Sequence, residues 1–120
     1  NFGAPSTVPK KYRNRHLFSW GPDVTLMRTN ERENEILGKT LAEKLNRSKG
    51  PVSVLLPLRG ISKISAEGGD FYRPEIDAAL FSTIKENLNN SIQVIEVQAN
   101  INTTVFAEQA IKSLLELIEN

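Results

Sequence analysis

The apolar run at positions 52–60, Val-Ser-Val-Leu-Leu-Pro-Leu-Arg-Gly, constrains the fold of this chain more than any other segment. Its branched residues do not alternate with polar ones, which is typical of a strand covered on both faces, as in a parallel sheet. Ligands of open α/β sheets bind beyond the carboxyl ends of such strands. The run therefore predicts that residues 54–56 lie inside a layered sheet and that Arg59 and Gly60 emerge at its edge.

The composition is that of one ordinary globular domain. A length of 120 residues allows a single core, and 39% apolar with 24% charged residues is common in such proteins. A net charge of +1 argues against nucleic acid as a partner, because binding to the phosphate backbone needs a clear cationic excess. No apolar run approaches the roughly 18 residues of a membrane-spanning helix, so no membrane partner is predicted.

The chain contains no cysteine, which excludes disulfides, thiolate nucleophiles and cysteine metal sites. This composition is compatible with a reducing cytosol, and we expect a cytoplasmic protein. The chain begins at Asn1 without an initiator methionine, and we expect it to be a piece of a longer protein.

Strands and helices are predicted to alternate along the chain. Glycine and prolines interrupt residues 1–12, which indicates an irregular arm. A short strand follows at residues 15–20, and residues 24–27 either extend it or pair elsewhere. Asn30 and Glu33 have the spacing of a capping box and predict the start of a helix. This helix should end before the Gly-Pro pair at 50–51, and its apolar stripe comprises Ile36, Leu37, Leu41 and Leu45.

Two further helices follow the buried strand. Pro74 suits the first turn of one of them, with the apolar stripe Ile76, Ala79, Leu80, Ile84 and Leu88. Residues 92–97 form the next strand, and a polar linker leads to the last helix. The predicted buried face of that helix holds Phe106, Ala110, Ile111, Leu114 and Ile118.

This order of elements indicates βαβ crossovers and hence an α/β fold. We predict a three-layer, Rossmann-like fragment with a mainly parallel sheet. Such a unit leaves a sheet edge unpaired, so we expect a partner at that edge. The partner would be a second copy, in a homo-oligomer, or the missing remainder of the protein.

Several short motifs of the chain recur in this order in a known family. They include Met27-Arg28-Thr29, Ala-Glu-Lys-Leu-Asn at 42–46, Leu56-Pro57, Pro74-Glu75 and Asp-Ala-Ala-Leu-Phe at 77–81. Over nearly its whole length the chain resembles the C-terminal domain of an uncharacterised two-domain family that includes the tomato mosaic virus resistance protein. The resemblance implies two Rossmann-like domains, with residues 1–120 as the latter part of the second. Family members are often labelled ATP-binding, but the resemblance associates ATP with the other domain, so the cofactor of this chain stays unknown.

The chain departs from the family pattern at two positions in its loops. Ser65 stands where many relatives carry an aspartate, and Asn100 stands where they usually carry a histidine. Aspartate and histidine can act as acid and base or as metal ligands, whereas serine and asparagine only hydrogen-bond at neutral pH. The departures put in doubt any catalytic role that the resemblance implies for this edge, and we predict no catalytic residue.

The loop after the buried strand supplies most of the candidate ligand-binding residues. Backbone N–H groups near glycines, together with a cationic side chain, can hold the anionic group of a metabolite or nucleotide. The alternative is a solvated loop whose glycines only permit positive φ, since no Walker or dinucleotide fingerprint is present. The predicted ligand-binding residues are Arg59, Gly60, Ser62, Gly68, Gly69, Arg28 and Asn102.

Two other patterns are weaker. The basic cluster at residues 10–16 is either a solvated face or a contact for RNA or an acidic partner. His16 is the only histidine, and a metal site built from it would need carboxylates that show no ligand-spacing motif, namely Asp70, Glu75 and Asp77. We predict no metal site.

Taken together, the sequence predicts the ligand-binding or structural half of a two-domain cleft. The alternative is a protein-interaction module without catalytic activity. Whether the complete protein is an enzyme stays open at this point.

Overall fold

The computed structural model describes all 120 residues and has an α/β architecture, which confirms the predicted fold class. The arm contains two short 3-10 turns, Pro5–Thr7 and Lys10–Tyr12. The regular elements are β1 (Leu17–Gly21), β2 (Val24–Met27), α1 (Glu31–Asn46), β3 (Ser53–Pro57), α2 (Pro74–Asn87), β4 (Gln93–Val97) and α3 (Thr104–Glu119).

The four strands form two separate pairs. β1 and β2 make an antiparallel hairpin, to which the arm adds one bridge between Phe2 and Thr25. The segment at 24–27 therefore pairs with β1, which settles the alternative that the sequence left open. β3 and β4 run parallel and are joined through α2, as a βαβ unit requires. The parallel pair is the part of the fold that resembles a Rossmann unit.

The core lies between β3 and α2. Val54 and Leu56 on one face of β3 are buried against Phe81 and Ile84 of α2. Leu55 points to the opposite face, where α3 packs, and it is half-buried. β3 is therefore covered on both faces, and more tightly on the side of α2.

Helix α1 begins where its capping residues predict. The backbone N–H of Glu33 donates to Asn30 Oδ1 at 2.8 Å, and the N–H of Asn30 donates to Glu33 Oε2 at 2.9 Å. The apolar stripe predicted for α1 is not its buried face, because three of the four side chains of the stripe are exposed. The exposed side chains are Ile36, Leu37 and Leu41.

Small residues instead form the buried face of α1. Asn34, Gly38 and Ala42 are buried, and α1 packs on α2. A Cβ atom at Gly38 would lie 2.9 Å from the carbonyl oxygen of Leu80. The two helices thus approach so closely that larger side chains do not fit between them.

Helix α3 has two apolar faces, and the sheet covers only one of them. The covered face carries Phe106, Ala110, Ser113 and Leu117, which recur at helical spacing. Phe106 and Ala110 were predicted on this face, but Ile111, Leu114 and Ile118 are 59%, 56% and 69% exposed. These three side chains and Leu115 follow the spacing i, i+3, i+4, i+7 and are named the α3 outer stripe.

None of the three helices combines the length and the apolar character needed to cross a bilayer.

Candidate ligand-binding site

The backbone beyond β3 stays attached to the sheet for two more residues. Leu58 N–H donates to the carbonyl of Val97 at 3.0 Å, and Arg59 N–H donates to the carbonyl of Ala99 at 3.2 Å. Gly60 then turns the chain at φ +143°, and a Cβ atom there would lie 2.9 Å from the Cα of Ala66. Only glycine combines this backbone angle with so close an approach. The backbone of Arg59 is consequently fixed at the end of the strand, and its side chain is exposed there.

A pair of serines holds the following loop. The hydroxyl of Ser65 accepts a hydrogen bond from Ser62 N–H at 2.9 Å, and Ser65 N–H donates to Ser62 Oγ at 3.2 Å. Gly68, at φ +85°, and Gly69, whose N–H donates to the carbonyl of Ala66, complete the turn. Ser62, Gly68 and Gly69 shape the loop and do not line its cavity, whereas Ser65 both holds the loop and lines the cavity.

The loop borders a partly open cavity of about 120 Å³, here named the strand-edge cavity. It lies where the carboxyl end of β3 meets the N-terminus of α2, the usual location of ligand sites in α/β sheets. Its lining residues are Leu58, Arg59, Ser65, Glu67, Tyr72, Pro74 and Asp77. Of the predicted ligand-binding residues, Arg59 lines this cavity.

Arg28 lies in a buried ion pair with Asp77. Arg28 Nη2 donates to Asp77 Oδ1 at 2.5 Å, and Arg28 Nε donates to the carbonyl of Phe71 at 3.1 Å. The two charged side chains are only 5% and 4% exposed. Burial raises the pKa of Asp77 above its ordinary value of 3.8, while the hydrogen bond and charge of Arg28 oppose that rise. Arg28 therefore acts on the cavity through Asp77 and is not among its lining side chains.

The second carboxylate oxygen of Asp77 has no hydrogen-bond donor within the protein. Arg28 hydrogen-bonds to Oδ1 alone, and Oδ2 keeps some solvent-accessible surface. Asp77 is one of the lining residues, so Oδ2 is the carboxylate oxygen that can accept a hydrogen bond from an occupant of the cavity. This acceptor is held rigidly, since its side chain is almost entirely buried.

Asn102 lies outside the cavity. Its backbone N–H donates to Asn100 Oδ1 at 2.9 Å in the exposed turn before α3. Thr103 caps that helix, with its hydroxyl accepting from Phe106 N–H at 3.3 Å. The polar residues of this turn thus serve the start of α3.

Sequence reasoning missed most of the cavity lining. Asp77 and Tyr72 were not among the predicted ligand-binding residues, and neither was Glu67. Their position on either side of Pro74 could have predicted them. Pro74 marks the first turn of a helix that follows a buried strand, and residues around such a turn lie at the carboxyl edge of the sheet.

The remaining candidates have structural contacts. The His16 ring packs edge-on against Phe71 with 4.9 Å between centroids. Arg15, in the basic cluster, binds both carboxylate oxygens of Glu33 at 3.0 and 2.7 Å. No three histidine, aspartate or glutamate side chains converge in the structure in a way that could hold a metal ion.

Comparison with known proteins places the whole chain in one family. Residues 1–118 match the C-terminal domain of an uncharacterised protein family, UPF0261. The chain belongs to this family. The resemblance identified from the sequence motifs is thereby confirmed.

Relatives of this UPF0261 domain occur in bacteria and plants. A UPF0261 protein of Clostridium tetani is 44% identical over 120 residues, which cover 99% of this chain and 30% of that protein. A UPF0261 protein of Rhizobium meliloti is 40% identical over 119 residues, with 98% and 30% covered. The ToMV resistance protein Tm-1(GCR237) of Solanum lycopersicum is 36% identical over 119 residues, with 98% and 16% covered. The chain therefore spans 30% or less of the length of these relatives.

Proposed function

We propose that this UPF0261 domain binds the anionic group of a small metabolite in the strand-edge cavity, as one half of a cleft. The observation that carries the proposal is the position of Arg59. Arg59 lines the cavity, and its guanidinium group takes part in none of the three ion pairs of the chain. Arginine is well suited to carboxylate and phosphate groups, which it can bind through two parallel hydrogen bonds.

The start of α2 adds to this anionic preference. Pro74 occupies the first turn, and no side chain caps the helix terminus. The positive end of the helix dipole therefore acts at the edge that Pro74 and Asp77 share with the cavity. Glu75 and Asp77 in the same turn offset part of this effect, so Arg59 is the main determinant.

The size of the cavity limits the ligand. A volume of about 120 Å³ is below the roughly 300–1,000 Å³ of sites for drug-sized molecules. A cavity of roughly 150 Å³ accepts benzene, so this one has room for about six non-hydrogen atoms. A nucleotide would place no more than a phosphate group here, and a small carboxylate or phosphate metabolite fits better.

Calorimetric titration of the natural-length protein with propionate and with inorganic phosphate tests this proposal. Arg59→Ala should weaken binding of the preferred anion at least about tenfold, because a hydrogen bond to a charged group contributes roughly 1.5–3 kcal/mol. Lys63→Ala is the matched control, since Lys63 is an exposed cation of the same loop that does not line the cavity. Equal loss in both variants, or no binding of either anion, would contradict the proposal.

A second role is structural, and the α3 outer stripe favours it. Four large apolar side chains face solvent along one side of α3, and β3 and β4 each keep one unpaired edge. Since the relatives are more than three times as long as this chain, we propose that the remaining part of the polypeptide covers the stripe and extends the sheet. A second copy of the protein is the other possible occupant, and sedimentation of the natural-length protein distinguishes the two.

We also propose a cytoplasmic location, which the absence of cysteine supports.

A further inference from the structure

The strand-edge cavity offers a vacant acceptor as well as a cation. Asp77 Oδ2 takes no hydrogen bond from the protein, although the residue is only 3% exposed. Oδ2 keeps some accessible surface, so water can donate to it in the free protein, and a ligand donor that replaces this water forms a hydrogen bond to a charged acceptor. An occupant with a hydrogen-bond donor beside its anionic group can therefore use both Arg59 and Asp77.

The charge of Asp77 decides which donor fits best. Arg28 already compensates the Asp77 carboxylate at 2.5 Å, so the pair is close to neutral as a unit. An ammonium group beside Oδ2 would add a second cation next to Arg28, whereas a hydroxyl group adds none. Glu67 also lines the cavity, and because it is exposed, as Arg59 is, solvent weakens the attraction of both side chains for charged groups. The arrangement favours a neutral hydroxyl donor.

The small volume sets the distance between the two groups of the ligand. A ligand of about six non-hydrogen atoms, the number for which the cavity has room, carries its carboxylate and its hydroxyl on the same or neighbouring carbons. Leu58 and Pro74 supply apolar surface for a short alkyl group.

We propose that the strand-edge cavity binds a short hydroxy carboxylate such as lactate, with its carboxylate on Arg59 and its hydroxyl donating to Asp77 Oδ2. This inference rests on the proposed function and specifies the class of ligand. It assigns Arg59 the recognition of charge and Asp77 the selection of a hydroxyl group.

A series of matched ligands tests the inference on the unmodified natural-length protein. Propionate, D-lactate, L-lactate and L-alanine share a carboxylate and differ at the second carbon, which carries hydrogen, hydroxyl or ammonium. We expect one lactate enantiomer to bind at least about tenfold more tightly than propionate and than alanine, because it alone gains the hydrogen bond to a charged acceptor without adding a cation.

The outcomes of this series separate the two proposals. Equal binding of lactate and propionate overturns the role of Asp77 and leaves the anion site standing. Tighter binding of alanine overturns the choice of a hydroxyl donor. No binding of any of the four overturns the anion site together with this inference.

Two variants add an independent readout. Arg59→Ala should weaken propionate and lactate alike and leave the ratio of their affinities unchanged, whereas Asp77→Asn should lower the ratio of lactate to propionate affinity, because the acceptor loses its charge. Circular dichroism first establishes that Asp77→Asn folds, because it leaves Arg28 without its charge partner. If it does not fold, the ligand series on the unmodified protein decides the matter.

Discussion

At the scale of single residues, Arg28 and Asp77 link two distant parts of the chain. They are 49 positions apart, and their hydrogen bond joins the segment after β2 to the first turn of α2. Arg28 also holds the carbonyl of Phe71, the last buried residue before that helix. The pair thereby holds the first turn of α2, which lines the strand-edge cavity, against the segment after β2.

Removing one partner of this pair should be costly. Arg28→Met leaves a buried carboxylate uncompensated, and we expect the free energy of unfolding to fall by about 3–5 kcal/mol at neutral pH. Without Arg28 the pKa of Asp77 lies further above that of the unfolded chain, so the folded state binds the proton more readily. The loss should therefore shrink as the pH is lowered, which urea denaturation at several pH values measures.

Two variants control that experiment. Arg32→Met removes an exposed arginine of α1 that forms no ion pair, and it should change stability by less than about 0.5 kcal/mol. Arg28→Met combined with Asp77→Leu should recover part of the loss, because no charge remains buried. An equally destabilised double variant would show that packing, rather than charge, explains the effect.

The pKa of Glu33 is shifted in the opposite direction from that of Asp77. The hydrogen bond from Arg15, followed by that from the Asn30 backbone, lowers the pKa of Glu33 below its ordinary value of 4.5. The stability that this pair contributes is thus complete above pH 4.5 and is lost as the pH falls through the lower pKa of the folded state. Glu33→Gln can keep the hydrogen bond from the Asn30 backbone but loses the ion pair with Arg15. The free energy of unfolding should therefore fall by about 0.5–1 kcal/mol at neutral pH.

Thermal unfolding of Glu33→Gln and the unmodified protein measures this difference. The gap between their melting temperatures should close in acid, where the unmodified Glu33 is also uncharged. A gap that persists unchanged at pH 2 to 3 would contradict the role assigned to the ion pair.

Sequence alone predicted the position of Arg59 but not the partner of Arg28. Arg59 directly follows a buried strand, so its place at the sheet edge depends on local order along the chain. Arg28 was predicted to contact a ligand because it precedes a helix N-terminus, and its actual partner comes from an element 49 positions away. Such pairings depend on how the helices pack, which no local sequence pattern predicts.

At the scale of elements, the contact between α1 and α2 depends on Gly38. Glycine is normally about 1 kcal/mol less favourable than alanine inside a helix. Here, however, the methyl group of Gly38→Ala would lie 2.9 Å from both the Leu80 carbonyl oxygen and the Thr83 Cβ. We expect net destabilisation by about 1–3 kcal/mol, since the backbones must move apart.

Gly50→Ala is the matched control for this prediction. No atom lies within 4 Å of a Cβ built at Gly50, so alanine there should be neutral or slightly stabilising. Chemical denaturation compares the two variants. A Gly38→Ala variant more stable than the unmodified chain would show that the helices separate without cost.

The elements were more predictable than their orientations. The capping box of α1 and the proline of α2 are local signals, and both helices begin at the predicted residues. The buried face of α1 was not predictable from hydrophobicity, because close helix packing selects Gly38 and Ala42 over larger neighbours. Helix α3 has two apolar faces, and its sequence does not specify which neighbour covers each.

At the scale of the whole molecule, the chain is extended for its length. Its radius of gyration is 16.4 Å, whereas a compact domain of this length has about 14 Å. Only 18 of 120 residues are buried. A core this small, beside a two-stranded parallel sheet with open edges, supports the proposal that further polypeptide completes the fold.

The α3 outer stripe gives this proposal a test. Leu114→Ser with Ile118→Ser should leave the melting temperature of residues 1–120 nearly unchanged, because both side chains are exposed there. In the natural-length protein the same change should destabilise by about 3 kcal/mol or more, since it removes two buried apolar side chains. Glu108→Gln with Glu119→Gln, at exposed polar positions of α3, is the control. Equal, small effects in both lengths would show that nothing covers the stripe.

A crystal structure of the natural-length protein grown with lactate decides whether the strand-edge cavity is a ligand site. We expect one lactate in this cavity, with its carboxylate on the Arg59 guanidinium and its hydroxyl within hydrogen-bond distance of Asp77 Oδ2. A cavity that holds only water while lactate occupies another site would overturn the assignment.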